Sequence, residues 1–302
     1  MIISVLDNKS AGFFSSLFFS INHYIFCKQN NIYFKLNSDN WLYKSKKGWT
    51  DYFLQDVEFK GDDSMSHVFH HDDILGDYNM YYYRDALLND IYIYNDEIKI
   101  KIEETKKKMN LVKGDYDSIY IRRGDKLCYE SRFYSTEKYI ELLLIKNPNC
   151  KTIFLQTDDY NCFLDIEKYI SEKNLDIQLI SMCKPTEFGV INYKIDVEKN
   201  FNPDCDVIKG DIEHIKYFNL IKERLKETKS VDQYNSEEIY NHTVNMIIGV
   251  DIIRQSKYCV LDNQSNVSRF INITHDNIEN VFDIRFPEIN YDMNRTRIPA
   301  WN

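Results

Sequence analysis

The chain has 302 residues, a length that suggests about two domains with ample material for real cores. Hydrophobic residues at 43% and charged residues at 28% exclude disordered and fibrous classes. The 38 basic and 47 acidic residues give a formal net charge of -9, which argues against an extended nucleic-acid surface but permits a local arginine site for a diphosphate.

Met1 to Leu6 is a short apolar run, and Asp7 to Gly12 is a turn carrying cap-type residues. Phe14, Leu17, Phe18, Ile21 and Ile25 then recur at helical spacing. The chain therefore opens strand, loop, helix. Ile32 to Leu36 reads as the next strand, followed by an aromatic loop with Trp41, Tyr43, Gly48 and Trp49. The tryptophans are either buried anchors of the fold or surfaces for stacking a sugar. From Gly61 to Asp77 the chain is acidic and carries His67, His70 and His71, which reads as a solvated loop because regular metal-ligand spacing is lacking. Tyr81 to Tyr94 predicts a short helix and a strand, and Asp96 to Met109 a charged helix with Ile98 and Ile102 inward.

A fresh strand begins at Ser118, which places domain boundaries at 1–113, 114–285 and a tail at 286–302. The run Ile119 to Ile121 ends in Arg122, Arg123, Gly124, Asp125 and Lys126, with Glu130 just beyond. An apolar run that delivers two arginines to a turn is how a parallel sheet offers a phosphate site, since ligands collect outside the carboxyl ends of strands and arginine presents a planar fork of donors. The alternative is a surface ion-pair cluster with Asp125. Helix and strand patterns then alternate, as in a parallel sheet. A helix runs from about Ser135 to Lys146, and the strand Thr152 to Gln156 ends at Thr157, Asp158 and Asp159. A helix from about Cys162 to Lys173 precedes a strand at Ile177 to Ser181. The irregular stretch Cys183 to Gln233, with one amphipathic helix near Ile212 to Thr228, reads as an insertion or lid. A helix from about Asn241 to Gln255 leads to the strand Tyr258 to Leu261, whose end is Asp262, Asn263, Gln264, Ser265 and Asn266.

The seven cysteines are scattered without a C-x-x-C pair, a pattern of free thiols in a reducing compartment. Ala11 to Cys27 is too short and polar to span a bilayer, with Asn22 and His23 interrupting it. No signal peptide or transmembrane segment is expected, and the location is expected to be cytoplasmic. The N-x-S/T triplets at Asn263, Asn266 and Asn272 are therefore expected to go unglycosylated.

In this order the motifs resemble the α1,6-fucosyltransferase family of N-glycan core and Nod-factor fucosylation. That family carries a strand with two arginines followed by x-Asp-Lys and a nearby Glu, matched by Arg122-Arg123-Gly124-Asp125-Lys126 and Glu130, with Phe133, Glu137 and Tyr139 continuing the pattern. Thr157-Asp158-Asp159, Asp251, and Ser265-Asn266-Val267-Ser268-Arg269 match further elements. Gly12, Tyr24, Asn40-Trp41, Tyr43, Gly48-Trp49 and Phe53 follow the family's N-terminal order. The likeness covers roughly residues 10 to 55 and 117 to 272. Two departures stand out: Tyr120 replaces the family's His, and its Gly-rich N-terminal loop is reduced to Gly12.

The resemblance implies an α/β, GT-B-like fold of two Rossmann-like domains facing a cleft, with the N-terminal domain on the acceptor side. It implies inverting transfer of fucose from GDP-fucose to a glycan hydroxyl, without a metal or other cofactor. Arg123, with Arg122 in support, would hold the diphosphate, a clamp commonly worth ~10² to 10³ in rate. Glu130 would be the base, worth ~10² to 10⁴, and Lys126 would tune it or touch phosphate. Asp125, Asp158 and Asp159 would complete the donor site, with Ser265 and Asn266 on the phosphates and Asp251 accepting from guanine N1–H and N2–H. Gly12, Trp41 and Trp49 would lie on the acceptor side. Two alternatives are a different GDP-sugar on the same fold and a catalytically silent nucleotide- or glycan-binding protein.

Overall fold

The structure is a computed structural model, and it describes residues 1–6, 12–64, 66–69, 75–76, 78–128, 131–189, 211–229 and 231–288, without the side chains of 125, 128 and 232. Two compact units emerge. Among the described residues the first comprises 1–105 with 235–248, and the second 106–234 with 249–288. The division thus falls nearer the sequence position of Lys106 than of Lys113. Lys106 is 8% exposed and its ammonium donates to Gln255 Oε1 at 2.8 Å, which ties the end of its helix to the second unit.

In the first unit, β1 (Ile2–Val5) pairs in parallel with β2 (Phe34–Asn37) and with β4 (His67–Phe69), and β3 (Glu58–Phe59) adds antiparallel to β2. Helix α1 (Phe13–Gln29) makes the crossover between β1 and β2, and it is buried almost all round. Its polar residues are satisfied inside: His23 Nδ1 lies 2.9 Å from Ser4 Oγ, and Asn22 donates to Tyr83 Oη and to Gly76 O, both at 3.0 Å. Among the described residues no helix is long and apolar enough to cross a membrane.

Helix α2 (Met80–Asp85) runs into a π-helical turn, Ala86–Ile91, where the sequence predicts a strand. The β-favouring tyrosines there are used for packing instead: Tyr92 and Tyr94 join an aromatic core with Phe13, Trp41, Trp49, Tyr52 and Phe53. Helix α3 (Asp96–Lys108) follows, with Ile98 and Ile102 buried.

The second unit holds a five-stranded, all-parallel sheet in the order β7-β6-β5-β8-β9. Its strands are β5 (Asp117–Ile121), β6 (Thr152–Thr157), β7 (Gln178–Ser181), β8 (Cys259–Leu261) and β9 (Val281–Asp283). Every residue of β5, β8 and β9 is buried, as expected of parallel strands covered on both faces. Ile119, Ile121, Ile153, Leu155, Val260 and Phe282 alternate onto one face, where α4 (Thr136–Lys146) and α5 (Tyr160–Glu172) supply Tyr139, Ile140, Leu143, Cys162 and Ile166. Each such aliphatic side chain contributes about 1.5–3 kcal/mol through burial. Helix α6 (Ile212–Glu227) lies within the stretch read as an insertion or lid. It packs Phe218, Ile221 and Leu225 on Leu127, so it is part of this unit's core. Helix α7 (Ser236–Arg254) is divided between the two units. Helix α8 (Asn266–Thr274) and β9 complete the sheet.

Candidate functional site

In chain order the sheet reads third, second, first, fourth, fifth strand. The connections run one way from β5 through β6 to β7 and the other way from β8 to β9. The reversal between β5 and β8 is the topological switch point, and its crevice lies outside their carboxyl ends. Arg122, Arg123 and Gly124 follow β5, Asp158 and Asp159 follow β6, and Asp262 to Ser265 follow β8.

Arg122 forms an ion pair with Asp158 Oδ2, and the side chains are 10% and 6% exposed. The other oxygen of Asp158 accepts from the Arg123 backbone N–H at 2.7 Å. One carboxylate therefore fixes both the side chain of Arg122 and the backbone that follows it. Gly124 must pass close to this pair at φ +33°: a Cβ there would lie 2.7 Å from Asp158 Oδ2 and 2.9 Å from Arg122 Nη1. That contact explains the glycine after the two arginines.

Arg123 points the opposite way, sharing the face of Ile119 and Ile121 by strand alternation. It is 1% exposed. Its guanidinium carbon sits 4.5 Å from the ring centre of Phe133, 5.3 Å from Tyr217 and 6.0 Å from Tyr139. Its Nη2 donates to Tyr134 O at 2.5 Å. Direct phosphate binding by Arg123 does not match this position, because three rings and a carbonyl enclose the group. Arg122 is the arginine of the pair nearer solvent.

Asp159 is fully buried and also serves structure. It caps α5 by accepting from Asn161 N, and it accepts from Tyr217 Oη at 3.0 Å and Arg224 Nη1 at 3.1 Å. Both of its oxygens are thus engaged within this unit. Lys126 lies in the 3₁₀ turn Gly124–Cys128, where its carbonyl accepts from Ser131 N at 2.9 Å. Asp125 is in the same turn; its side chain, and Glu130 entirely, lie outside the described residues.

Ser265 caps α8, its Oγ accepting from Ser268 N at 3.1 Å, so the amides that open this helix face the switch-point crevice. Asn266 opens the helix and accepts from Arg269 Nη1 at 3.4 Å. Asp251 lies in the last turns of α7, which leads into the amino end of β8. Its oxygens accept from Arg254 Nη1 at 3.1 Å and Gln255 Nε2 at 2.5 Å, and Arg254 in turn donates to Thr274 O at the end of α8. These partners belong to the amino side of the sheet, away from Arg122 and Asp158.

In the first unit, Gly12 precedes α1 with open space around its Cα. Trp41 and Trp49 are 3% and 1% exposed, with Trp49 stacked on Phe53 at 4.0 Å. Their ring faces are used in the core, so of the two readings of these tryptophans the structure favours fold anchors over sugar stacking. Among the described residues no group of three or more His, Cys, Asp or Glu side chains could hold a metal ion; His70, His71, Asp72 and Asp73 lie outside them.

Sequence reasoning gave no role to Asp262. It follows β8 directly, and its Oδ1 is buried without a hydrogen bond, 3.4 Å from Arg285 Nε. Arg285 instead directs Nε and Nη2 to Asp283, at 3.0 and 2.6 Å. Burial pushes the Asp262 carboxyl up to about 7, Arg285 opposing and Asp283 reinforcing the rise. The available signal was an aspartate directly after an apolar strand. His214, Tyr217 and Arg224 were missed as well, because nothing local in α6 marks residues that reach β5 and β6.

No protein-family model matches the chain, and no curated protein matches it. Among solved structures, the chain is similar to a NodZ alpha-1,6-fucosyltransferase soaked with GDP-fucose, at 8% identity over 95% of this chain and 97% of that one, with a TM-score of 0.51. A fucosyltransferase NodZ from Bradyrhizobium matches at 8% identity over 95% and 96%, with a TM-score of 0.49. At this identity the first likeness shows the fold: α/β, of the GT-B-like kind, over nearly the whole chain.

Proposed function

We propose that this chain is a glycosyltransferase that moves fucose from GDP-fucose to a glycan hydroxyl with inversion and without a metal. The observation that carries the reading is the arginine pair at the switch point of a parallel sheet, in a fold similar to that of a structure soaked with GDP-fucose. The acceptor oxygen attacks the sugar's anomeric carbon, the bond from that carbon to the phosphate oxygen breaks, and GDP leaves with the electron pair.

Arg122 neutralises the departing diphosphate, helped by the first amides of α8 beside Ser265 and Asn266. Arg123 and Asp158 hold Arg122 and its backbone in place. Glu130 takes the acceptor proton, and Asp125 and Lys126 precede it in sequence. Asp251 stays with Arg254 and Gln255 on the amino side of the sheet and takes no part in holding the donor.

Binding and turnover test this separately. GDP at 100 times its Kd should stabilise the chain by about 2.7 kcal/mol, and UDP should do far less. GDP should be released from GDP-fucose equally with and without EDTA. Stabilisation by UDP but not GDP would refute the donor assignment.

A further inference from the structure

Gln156, one residue before the end of β6, is partly exposed, yet its Oε1 is buried and has no hydrogen bond. A buried acceptor left unbonded costs stability that an apolar side chain would not, so its presence asks for a donor.

Gly249 makes the room for this amide. It lies inside α7, in the part that belongs to the second unit. A Cβ on it would meet Gln156 Oε1 at 2.3 Å, Cδ at 2.6 Å and Nε2 at 3.1 Å, so the whole amide rests against a bare stretch of helix. Glycine is a poor residue for a helix interior. Here the missing side chain is what lets the amide fit.

Strand alternation ties the amide to the arginine at the switch point. Gln156 pairs in register with Tyr120, and two residues further along each strand Asp158 meets Arg122. Gln156, Asp158, Tyr120 and Arg122 therefore share the face opposite α4 and α5. Along β6, Gln156 lies about 7 Å inward of Asp158, the scale of the ribose that separates a diphosphate from its base. An amide presents C=O beside NH2, and guanine presents N1–H beside O6, so the two edges are complementary.

We propose that Gln156 is a donor-binding residue whose amide pairs with N1–H and O6 of guanine, in the room left by Gly249. This rests on the reading of the donor as GDP-fucose and of Arg122 as its diphosphate contact. The base supplies the donor that Oε1 lacks in the chain, and with no Cβ at 249 the amide has space to turn its edge to the crevice. Asp251, bonded to Arg254 and Gln255 on the amino side, leaves the base to a residue on the Arg122 face.

The test measures Kd on the full chain by calorimetry, with GDP, N1-methyl-GDP and inorganic pyrophosphate, which has the diphosphate and no nucleoside. Neutral hydrogen bonds are ordinarily worth about 2- to 10-fold each in affinity. Gln156→Ala should therefore weaken GDP about 10-fold and pyrophosphate less than about twofold, whereas Arg122→Met should weaken both. N1-methyl-GDP should bind the unmodified chain about as weakly as GDP binds Gln156→Ala, and lose nothing more in that variant. Gly249→Ala, which pushes the amide from its place, should weaken GDP as well, and adding it to Gln156→Ala should cost no further affinity. The melting temperature of Gln156→Ala without ligand should not fall, because its Oε1 had no bond to lose. A Gln156→Ala chain that holds GDP as tightly as before, or that weakens GDP and pyrophosphate alike, overturns the role, as does N1-methyl-GDP bound as tightly as GDP. An unmodified chain that binds neither GDP nor pyrophosphate overturns the donor reading itself.

Discussion

Replacing Asp158 with Ala would test how the edge between β5 and β6 is held. Its two oxygens serve Arg122 and the backbone N–H of Arg123, and the Arg122 and Asp158 side chains are 10% and 6% exposed. Water therefore has little access to replace the carboxylate. The substitution takes one carboxylate partner from a buried guanidinium and the acceptor from a buried amide, and breaking one side of a buried ion pair costs about 3–5 kcal/mol. That is a large share of the roughly 5–15 kcal/mol that a domain has in total. With a urea dependence of about 2 kcal/mol per molar, the midpoint for the second unit should fall by roughly 2 M. Asp158→Asn should lose less, because its amide oxygen still accepts from Arg123 N. Adding Arg122→Met to Asp158→Ala should recover part of the loss by removing the guanidinium that has lost this carboxylate. The measurement is circular dichroism against urea without ligand. A midpoint shift under ~0.5 M, or a double variant no better than the single one, would refute the reasoning.

Two further outcomes concern the same edge. The Asp262 carboxyl sits at about 7 when folded against about 3.9 unfolded. The folded chain then holds the extra proton between those values, so this contribution is fully present below about pH 4 and is lost as pH rises through about 7, with a slope of up to about 1.4 kcal/mol per unit. The stability of the unmodified chain minus that of Asp262→Asn should fall across this window, and a difference that rises with pH would sink the assignment. A Cβ on Gly249 would lie 2.3 Å from Gln156 Oε1 and 2.6 Å from its Cδ. Gly249→Ala should therefore displace the Gln156 amide and gain less than a Gln156→Ala variant does, where the ordinary helix gain of Ala over Gly, about 1 kcal/mol, is expected in full. Equal shifts in melting temperature in both backgrounds would show that the contact is not the cause.

Much of the second unit was legible because its strands are continuous apolar runs and its helices have clear periods. Ile119 to Ile121 marked β5, and Thr157-Asp158-Asp159 marked the end of β6 within a residue. The short strands β3, β4 and β9, of two or three residues each, leave no period to detect. Helix α8 begins at Asn266, and the cap from Ser265 to Ser268 was visible as a Ser-rich turn but not as a helix start. The different settings of Arg122 and Arg123 were not legible. Strand alternation puts Arg123 on the side of Ile119 and Ile121, and the rings that receive it come from Phe133, Tyr139 and Tyr217. Tyr217 is 94 residues away in sequence on α6, so no local pattern could signal it.

The charges at the carboxyl edge explain why the two arginines differ. Arg122 pairs with Asp158, Arg224 with Asp159, and Arg285 with Asp283. Among the described residues, Arg123 is held by rings and a backbone carbonyl, and Asp262 lies 3.4 Å from Arg285 with an Oδ1 that has no hydrogen bond. Arg123 lowers the Asp262 carboxyl slightly, and burial outweighs it. A cation can be enclosed by aromatic faces at modest cost, because their quadrupoles replace part of the lost hydration. A carboxylate has no such substitute, so Asp262 rises toward neutrality where Arg123 stays charged. The chain's net charge of -9 therefore says little about this edge, where each arginine is matched by a carboxylate, a ring or a carbonyl. Under the proposed function the diphosphate shares Arg122 with Asp158 and takes the amides that open α8. Its binding is therefore set by how Asp158 divides its two oxygens.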